Sequence, residues 1–280
     1  RSSEELEPEI IKEIKDKQVE VLINYLPVGS QKATEFWADI ALKTGCAMIN
    51  CIPVFIASDK KWEQKFKEKN IPIIGDDIKG QIGATIVHRI LAKLLNDRGT
   101  KFNRTYQLNV GGNTDFLNMK EQERLESKKI SKTTSVQSQL SEELGADDIH
   151  IGPSDFIPFL GNTKVAFIRL EGQTFAEVPF NIELRLEVDD KSNSAGCVTD
   201  AIRIAKFALD RKEGGNINQA SAYLMKHPMF QYSDDEARKQ LQKYIDSEKK
   251  NIECIIVRNI DEKANKILAD FIFIHKSSLP

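Results

Sequence analysis

The hydrophobic pattern of the first third of the chain alternates between short apolar runs and amphipathic stretches. Each apolar run is rich in β-branched residues, and the stretch that follows it has its apolar residues on one helical stripe. Such alternation predicts βαβ units and a parallel sheet. The predicted strands are Val19–Tyr25, Ala47–Ile52 and Ile71–Ile74, and the predicted helices are Gln31–Thr44, a helix capped by Asp59 that runs to Lys69, and Gln81–Leu95.

The pattern changes in the middle of the chain, where strand-like segments follow one another. We predict strands at Tyr106–Val110, Lys164–Gly172 and Val178–Val188. In the last of these, apolar residues alternate strictly with charged ones, which is typical of a sheet with one solvated or interface face. The middle therefore indicates α+β material inserted into an α/β chain.

Helical patterns return towards the end. Asn193–Leu209 has an apolar stripe, and Asp234 to Glu248 predicts a polar amphipathic helix. The segment from Ile252 to Ile274 suggests a small strand–helix–strand tail.

Composition limits the kinds of partner. The chain has 280 residues, 40% of them hydrophobic, and a formal net charge of −2, which suits a soluble globular protein and argues against a general nucleic-acid binder. No apolar run is long enough for a membrane span. The cysteines form no CxxC pair and the histidines show no ligand spacing, so we expect reduced thiols in a cytoplasmic protein and no zinc site; the cysteines are Cys46, Cys51, Cys197 and Cys254.

Several short sequence motifs (phrases), in a fixed order, resemble those of the myo-inositol-phosphate synthase family in its shorter prokaryotic form. Any one of them would be a weak signal, but the ordered set is specific. They are Tyr25–Ser30, Pro53–Ser58, Gly75–Lys79, Asn109–Met119, Glu126–Thr133, Ile151–Asp155, Asn193–Gly196 and Ser221–Lys226.

The resemblance implies an α/β chain with a Rossmann-like NAD-binding lobe, interrupted by an α+β catalytic and oligomerisation domain. We place the lobe at residues 1–104 and 193–250, the inserted domain at 105–192, and a tail without a match at 251–280. The family opens with a strand and a Gly-x-Gly-type turn that cradles the NAD pyrophosphate, and no such turn precedes Val19. Because the sequence also begins with Arg1, we expect it to start inside a longer gene product, with the NAD-binding lobe incomplete.

The resemblance also implies a chemistry, in which NAD-dependent oxidation, enolisation, intramolecular aldol cyclisation and reduction convert D-glucose 6-phosphate to 1D-myo-inositol 3-phosphate. This reaction leads to inositol and phospholipids and leaves no net redox change. Lysine suits the binding of phosphate and oxyanions and the movement of protons. With 40 Lys and Arg in the chain, any one lysine alone would be interpreted as a solvated surface group. The resemblance singles out Lys128, Lys132, Lys164 and Lys226 as catalytic and substrate-binding.

The same resemblance assigns acidic and polar partners. Asp115 matches the motif aspartate near the nicotinamide and substrate, and Asp190 matches an aspartate before Asn193–Gly196. The resemblance implies catalytic and cofactor-binding roles for both, although Asp190 is also placed to cap a helix. Strand ends in open parallel sheets bind ligands, which makes Asp77 a candidate for cofactor contact, with helix capping as its alternative. Weaker candidates for the cofactor are Asp76, Ser30 and Ser58, and Asn109 is a candidate for the substrate. No metal ligand is assigned, and His88 is expected to be structural.

Two other functions remain open from the sequence. The first is an ordinary dehydrogenase acting on another sugar or polyol phosphate, which would need fewer lysines. The second is a catalytically inactive scaffold that persists as an assembly protein. The resemblance implies a homotetramer, and the alternating strand offers an interface face.

Overall fold

The structure, a computed structural model, describes residues 3–118, 136–137, 140 and 144–247. Short 3₁₀ turns occur at Pro158–Leu160 and Phe175–Glu177. The helices are α1 Ser3–Asp16, α2 Gln31–Thr44, α3 Lys60–Glu68, α4 Ala84–Asp97, α5 Thr114–Asn118, α6 Asp190–Asp210, α7 Asn218–Leu224 and α8 Asp234–Asp246. The strands are β1 Val21–Asn24, β2 Ala47–Asn50, β3 Pro72–Gly75, β4 Lys101–Gly111, β5 Ile149–Phe156, β6 Thr163–Gln173, β7 Pro179–Asp189 and β8 Gly215–Asn216.

The first sheet is parallel, with the strand order β1-β2-β3-β8. Every residue of β2 and β3 is buried, as expected for strands covered on both faces. Helix α6 packs against β2 and β3, with Ala201, Ile204 and Ala208 in the shared core. The predicted parallel pairing of the first three strands, and the return of the later helix to that sheet, are confirmed.

Local signals explain where the helices around this sheet begin and end. Helix α2 ends at Gly45, whose φ of 80° is a left-handed conformation that glycine adopts without strain. Helix α3 begins after Asp59, whose carboxylate accepts hydrogen bonds from the backbone N–H groups of Lys61 and Trp62, as predicted.

The second sheet is mixed, with the strand order β5-β4-β6-β7. Strand β4 pairs parallel with β5 and antiparallel with β6, and β7 lies at the edge. Helix α4 packs on this sheet rather than on the parallel one, through a cluster that includes Leu91, Leu95, Ile168 and Leu170. The α/β class with a Rossmann-like sheet and an α+β part is confirmed.

Three features differ from the sequence prediction. Helix α6 begins at Asp190, three residues before the predicted start, because Asp189 caps it by accepting from the N–H of Ser192. Strand β5 was not predicted, since Gly152 and Pro153 interrupt its apolar pattern. Helix α1 was not predicted either, although its Ile10 and Ile14 pack with α2.

Among the described helices, none combines the length and apolar character needed to cross a membrane.

Candidate active site

A cleft of about 560 Å³ lies between the carboxyl edge of the parallel sheet and the second sheet. The loops after β1, β2 and β3 form one wall, because the carboxyl ends of parallel strands meet at one edge. The other wall comes from the ends of β4 and β7, the start of β6 and the first turn of α6. The cleft therefore collects residues that are far apart in sequence.

Lys164 enters this cleft from the start of β6 and pairs with the first residue of α6. Its Nζ lies 3.2 Å from Oδ1 of Asp190, and Asn113 donates to Oδ2 of the same carboxylate at 2.9 Å. The Lys164 ammonium also lies 5.6 Å from the ring centre of Phe116. Asp189 caps the helix, so the carboxylate of Asp190 is directed to Lys164 and Asn113 instead.

Lys226 enters from the opposite wall and pairs with Asp77. Its Nζ lies 2.7 Å from Oδ1 of Asp77, whose side chain is only 4% exposed. The next residue, His227, stacks on Phe55 with ring centroids 4.1 Å apart, and burial lowers the pKa of its imidazole. Asp77 thus contacts a lysine on its own wall of the cleft, and the helix that follows is capped at Gly83 instead.

Asp76 is fully buried behind the cleft wall and holds the loop after β2. Its carboxylate accepts hydrogen bonds from the backbone N–H groups of Ile56, Ala57 and Ser58, from the Ser58 hydroxyl and from Asn50. Burial raises the pKa of Asp76 to about 6, although these hydrogen bonds oppose the shift. Asp76 therefore fixes a loop in this structure, and its contact with NAD stays a prediction.

The remaining predicted residues divide between the cleft and other places. Asp115 lines the cleft with Lys164, Asp190 and Lys226, whereas Ser30 and Ser58 do not line it. Asn109 is buried between strands, donating to the carbonyl of Gly152 and accepting from Gln107. Lys128 and Lys132 lie outside the described residues.

The cleft residues that sequence reasoning missed include Lys79 and Asn113. Both lie within phrases that match the family, and only their placement distinguishes them from neighbours. Lys79 is 1% exposed, and burial beside Arg89 lowers its pKa to about 7 while Asp234 opposes the shift. For Lys79, the signal available in the sequence was a charged residue shortly after an apolar strand.

The cysteines in the described part of the chain are buried and therefore unreactive. Cys46, Cys51 and Cys197 are buried thiols whose pKa values are raised, chiefly by burial. No group of three or more His, Cys, Asp or Glu within the described ranges could hold a metal ion. Cys254 lies outside those ranges.

Fold and cleft together define a Rossmann-like α/β protein in which a second, mixed sheet closes the ligand-binding edge of the parallel sheet. The model of the myo-inositol-1-phosphate synthase family matches residues 83–191. The inositol-3-phosphate synthase of Mycolicibacterium smegmatis is 54% identical over 242 residues, covering 85% of this chain and 67% of that protein. The chain belongs to the myo-inositol-1-phosphate synthase family.

Other relatives agree with this assignment. The inositol-3-phosphate synthase of Mycobacterium tuberculosis is 55% identical, and the match spans 85% of this chain but only 65% of that protein's length. A myo-inositol-1-phosphate synthase-related protein from Thermotoga maritima is 25% identical, with a TM-score of 0.74 over 87% of this chain and 70% of that structure. The fold is also that of the inositol-3-phosphate synthase of Caenorhabditis elegans, which is 16% identical with a TM-score of 0.69 over 87% of this chain and 56% of that structure.

Proposed function

We propose that this chain carries the catalytic cleft of an inositol-3-phosphate synthase, which converts D-glucose 6-phosphate to 1D-myo-inositol 3-phosphate. One observation carries the proposal: Lys164, Asp190, Asp115 and Lys226 come from four separate stretches and line a single cleft. A simple dehydrogenase has no need for two cationic groups on opposite walls. The identity to named synthases supports the same reaction.

The paired lysines have complementary roles in this proposal. The ammonium of Lys164, held by Asp190, stabilises negative charge that develops on a substrate oxygen. The ammonium of Lys226, held by Asp77, binds a second anionic group across the cleft. Asp115 accepts hydrogen bonds from substrate hydroxyls, and Lys128 and Lys132 stay candidates for phosphate binding.

NAD is the proposed cofactor, and when bound it would supply reversible hydride transfer with the substrate. The described residues fit part of a dinucleotide, because Pro27, Val28 and Ile52 give the cleft an apolar wall beside Asp77. Within the described ranges, no Gly-x-Gly turn joins a strand to a helix, so no residue here is assigned to the pyrophosphate. Contacts of NAD with Asp76, Ser30 and Ser58 remain predictions.

The domain division and the assembly are also proposals. Residues 1–104 and 193–250 form the NAD-binding lobe and 105–192 the catalytic and oligomerisation domain, except that α4 belongs with the second sheet on which it packs. We propose a cytoplasmic homotetramer. Its support is the half-buried apolar face of the edge strand β7, which carries Ile182, Leu184 and Leu186.

Incubation of the protein with glucose 6-phosphate and NAD tests the function. The expected result is an inositol phosphate, separated by chromatography, without stoichiometric accumulation of NADH. Accumulation of NADH matched to substrate loss would identify a dehydrogenase instead. Failure to bind glucose 6-phosphate in calorimetry would favour the inactive scaffold.

A further inference from the structure

A buried cluster of charges lies directly behind Lys226. Lys79 and Arg89 are 1% and 0% exposed, and both face the carboxylate of Asp234 at the start of α8. The Nε of Arg89 lies 2.8 Å from Oδ2 of Asp234, and the Nζ of Lys79 lies 3.7 Å from Oδ1. Arg89 also donates to the carbonyl of Tyr232. Two buried basic side chains therefore contact the same carboxylate, that of Asp234.

The Lys79 ammonium is bonded mainly to the end of α7. Its Nζ donates to the carbonyls of Ala222 and Tyr223, at 3.0 and 3.1 Å. The last carbonyls of a helix have no partner within the helix, and a cation there also interacts favourably with the helix dipole. Lys79 thus fastens the last turn of α7, one residue before the chain turns towards Lys226.

The backbones of the two segments are joined as well. Residues 76–79 and 224–227 run antiparallel, with Ile78 opposite Met225. The bonds are Lys79 N–H to Leu224 O at 2.9 Å, Lys226 N–H to Asp77 O at 2.7 Å, His227 N–H to Asp76 O at 3.0 Å and Asp76 N–H to His227 O at 3.0 Å. The hydrogen bonds of the Lys79 side chain continue this ladder beyond Leu224. Lys226 lies towards the other end of the ladder.

We propose that Lys79 is a positioning residue, which fixes the segment that carries Lys226 and thereby aims the Lys226 ammonium into the cleft. Burial of a charge is costly, and an apolar side chain of similar size is often as stable or more stable in such a position. A role in holding the α7 carbonyls explains why a lysine is used there. The inference rests on the proposed function in giving Lys226 a catalytic task.

The test compares four variants of the full chain. Lys79→Met keeps most of the stem and removes the ammonium. Lys79→Gln replaces it if the Met variant does not fold, and removes the charge while keeping an amide donor. Lys79→Arg keeps a cation with donors. The matched control is Lys69→Met, since Lys69 also donates to a backbone carbonyl, that of Leu42, away from the cleft. Amide hydrogen exchange at Lys226 and His227, turnover and KM for glucose 6-phosphate are measured for each.

We expect exchange at these two amides to be faster by on the order of tenfold in Lys79→Met, while amides of β6 are unchanged. The ratio kcat/KM should fall on the order of 100-fold, because a small misplacement of a group that contacts the substrate is enough for such a loss. Lys79→Arg should recover part of the slow amide exchange and part of the activity. Lys69→Met should match the unmodified chain in both measurements. If Lys79 only fills space, Met would be tolerated better than Arg, and that order would overturn the proposal.

The exchange measurement separates this inference from the proposed function. If the unmodified chain makes no inositol phosphate but Lys79→Met still loosens Lys226 and His227, the positioning stands and the function fails. If the unmodified chain is active and Lys79→Met keeps both its turnover and its exchange pattern, the positioning alone is wrong.

Discussion

Lysines and carboxylates are matched across the described part of the cleft. Lys164 faces Asp190 and Lys226 faces Asp77, with each ammonium within 3.2 Å of a carboxylate oxygen. Like charges that line one cleft repel each other. The paired carboxylates lower this repulsion, so the cleft holds several cations before any anionic substrate arrives.

Substitution of Lys164 by Met tests the role of this lysine. Met keeps most of the stem, and Asp190 retains its hydrogen bond from Asn113, so the variant should fold. Turnover should fall by roughly 100-fold or more, the scale of removing a preorganised oxyanion donor. Steady-state kinetics should show a larger change in kcat than in KM.

The control for this variant is Lys101→Met, at the exposed end of the neighbouring strand β4. Its turnover should equal that of the unmodified chain. Near-normal turnover in Lys164→Met would remove Lys164 from the proposed active site.

Some residues of the site could be predicted from sequence and others could not. The family resemblance located Lys164, Lys226, Asp115 and Asp190, which line one cleft. The resemblance could not separate Asp76 from Asp77, because both are buried and only packing decides that Asp76 holds a loop while Asp77 contacts Lys226. The importance of Lys79 likewise depends on α7 and α8, more than 130 residues away.

Among the secondary-structure elements, α4 shows how a buried polar residue joins a helix to a sheet. His88 is fully buried on α4, with Nδ1 3.2 Å from Gln107 Oε1 and Nε2 2.8 Å from Thr105 Oγ1, both on β4. Burial lowers the pKa of His88 to about 4, so the imidazole is neutral in the folded chain at neutral pH.

This shift predicts a pH-dependent stability. The unfolded imidazole takes up a proton below pH 6.5, whereas the folded one stays neutral down to about pH 4. The stabilisation due to His88 is therefore complete above pH 6.5 and is lost as the pH falls towards 4, by about 3 kcal/mol. Urea unfolding of the unmodified chain and of His88→Gln, at several pH values, measures the difference. A difference that stays constant between pH 7 and pH 4 would contradict the burial of a neutral imidazole.

The helices and strands were predicted most accurately where the hydrophobic pattern of the sequence is strong. The all-buried strands β2 and β3 and the capped helix α3 follow from apolar runs and from Asp59. Strand β4 is longer than predicted, at Lys101–Gly111 instead of Tyr106–Val110, because polar residues at its start pair with β6. Tertiary pairing of this kind leaves no periodic signal within the strand itself.

The whole molecule presents an edge strand with two different faces. Strand β7 pairs with β6 alone among the described strands, and its apolar residues are only partly covered by α4. The neighbouring Ile90 and Leu94 of α4 are about half exposed. An apolar stripe of this kind suits an interface with another copy of the chain.

Light scattering after size exclusion tests the assembly. We expect a mass four times the chain mass of 31.7 kDa. Leu184→Glu should shift the mass to smaller species because it places a charge in the apolar stripe, and Glu187→Gln, on the opposite face of β7, should leave it unchanged. A monomer in the unmodified chain would refute the tetramer.

The central claim is that one cleft both removes a hydride from the substrate and returns it, with no net redox change. The family resemblance implies that C5 of glucose 6-phosphate is the carbon oxidised and later reduced. Substrate labelled with deuterium at C5 therefore tests this most directly, with product and cofactor analysed by mass spectrometry. The account predicts an inositol phosphate that retains the deuterium on the carbon that was C5. Deuterium that accumulates in reduced NAD, with an oxidised sugar phosphate as product, would contradict it.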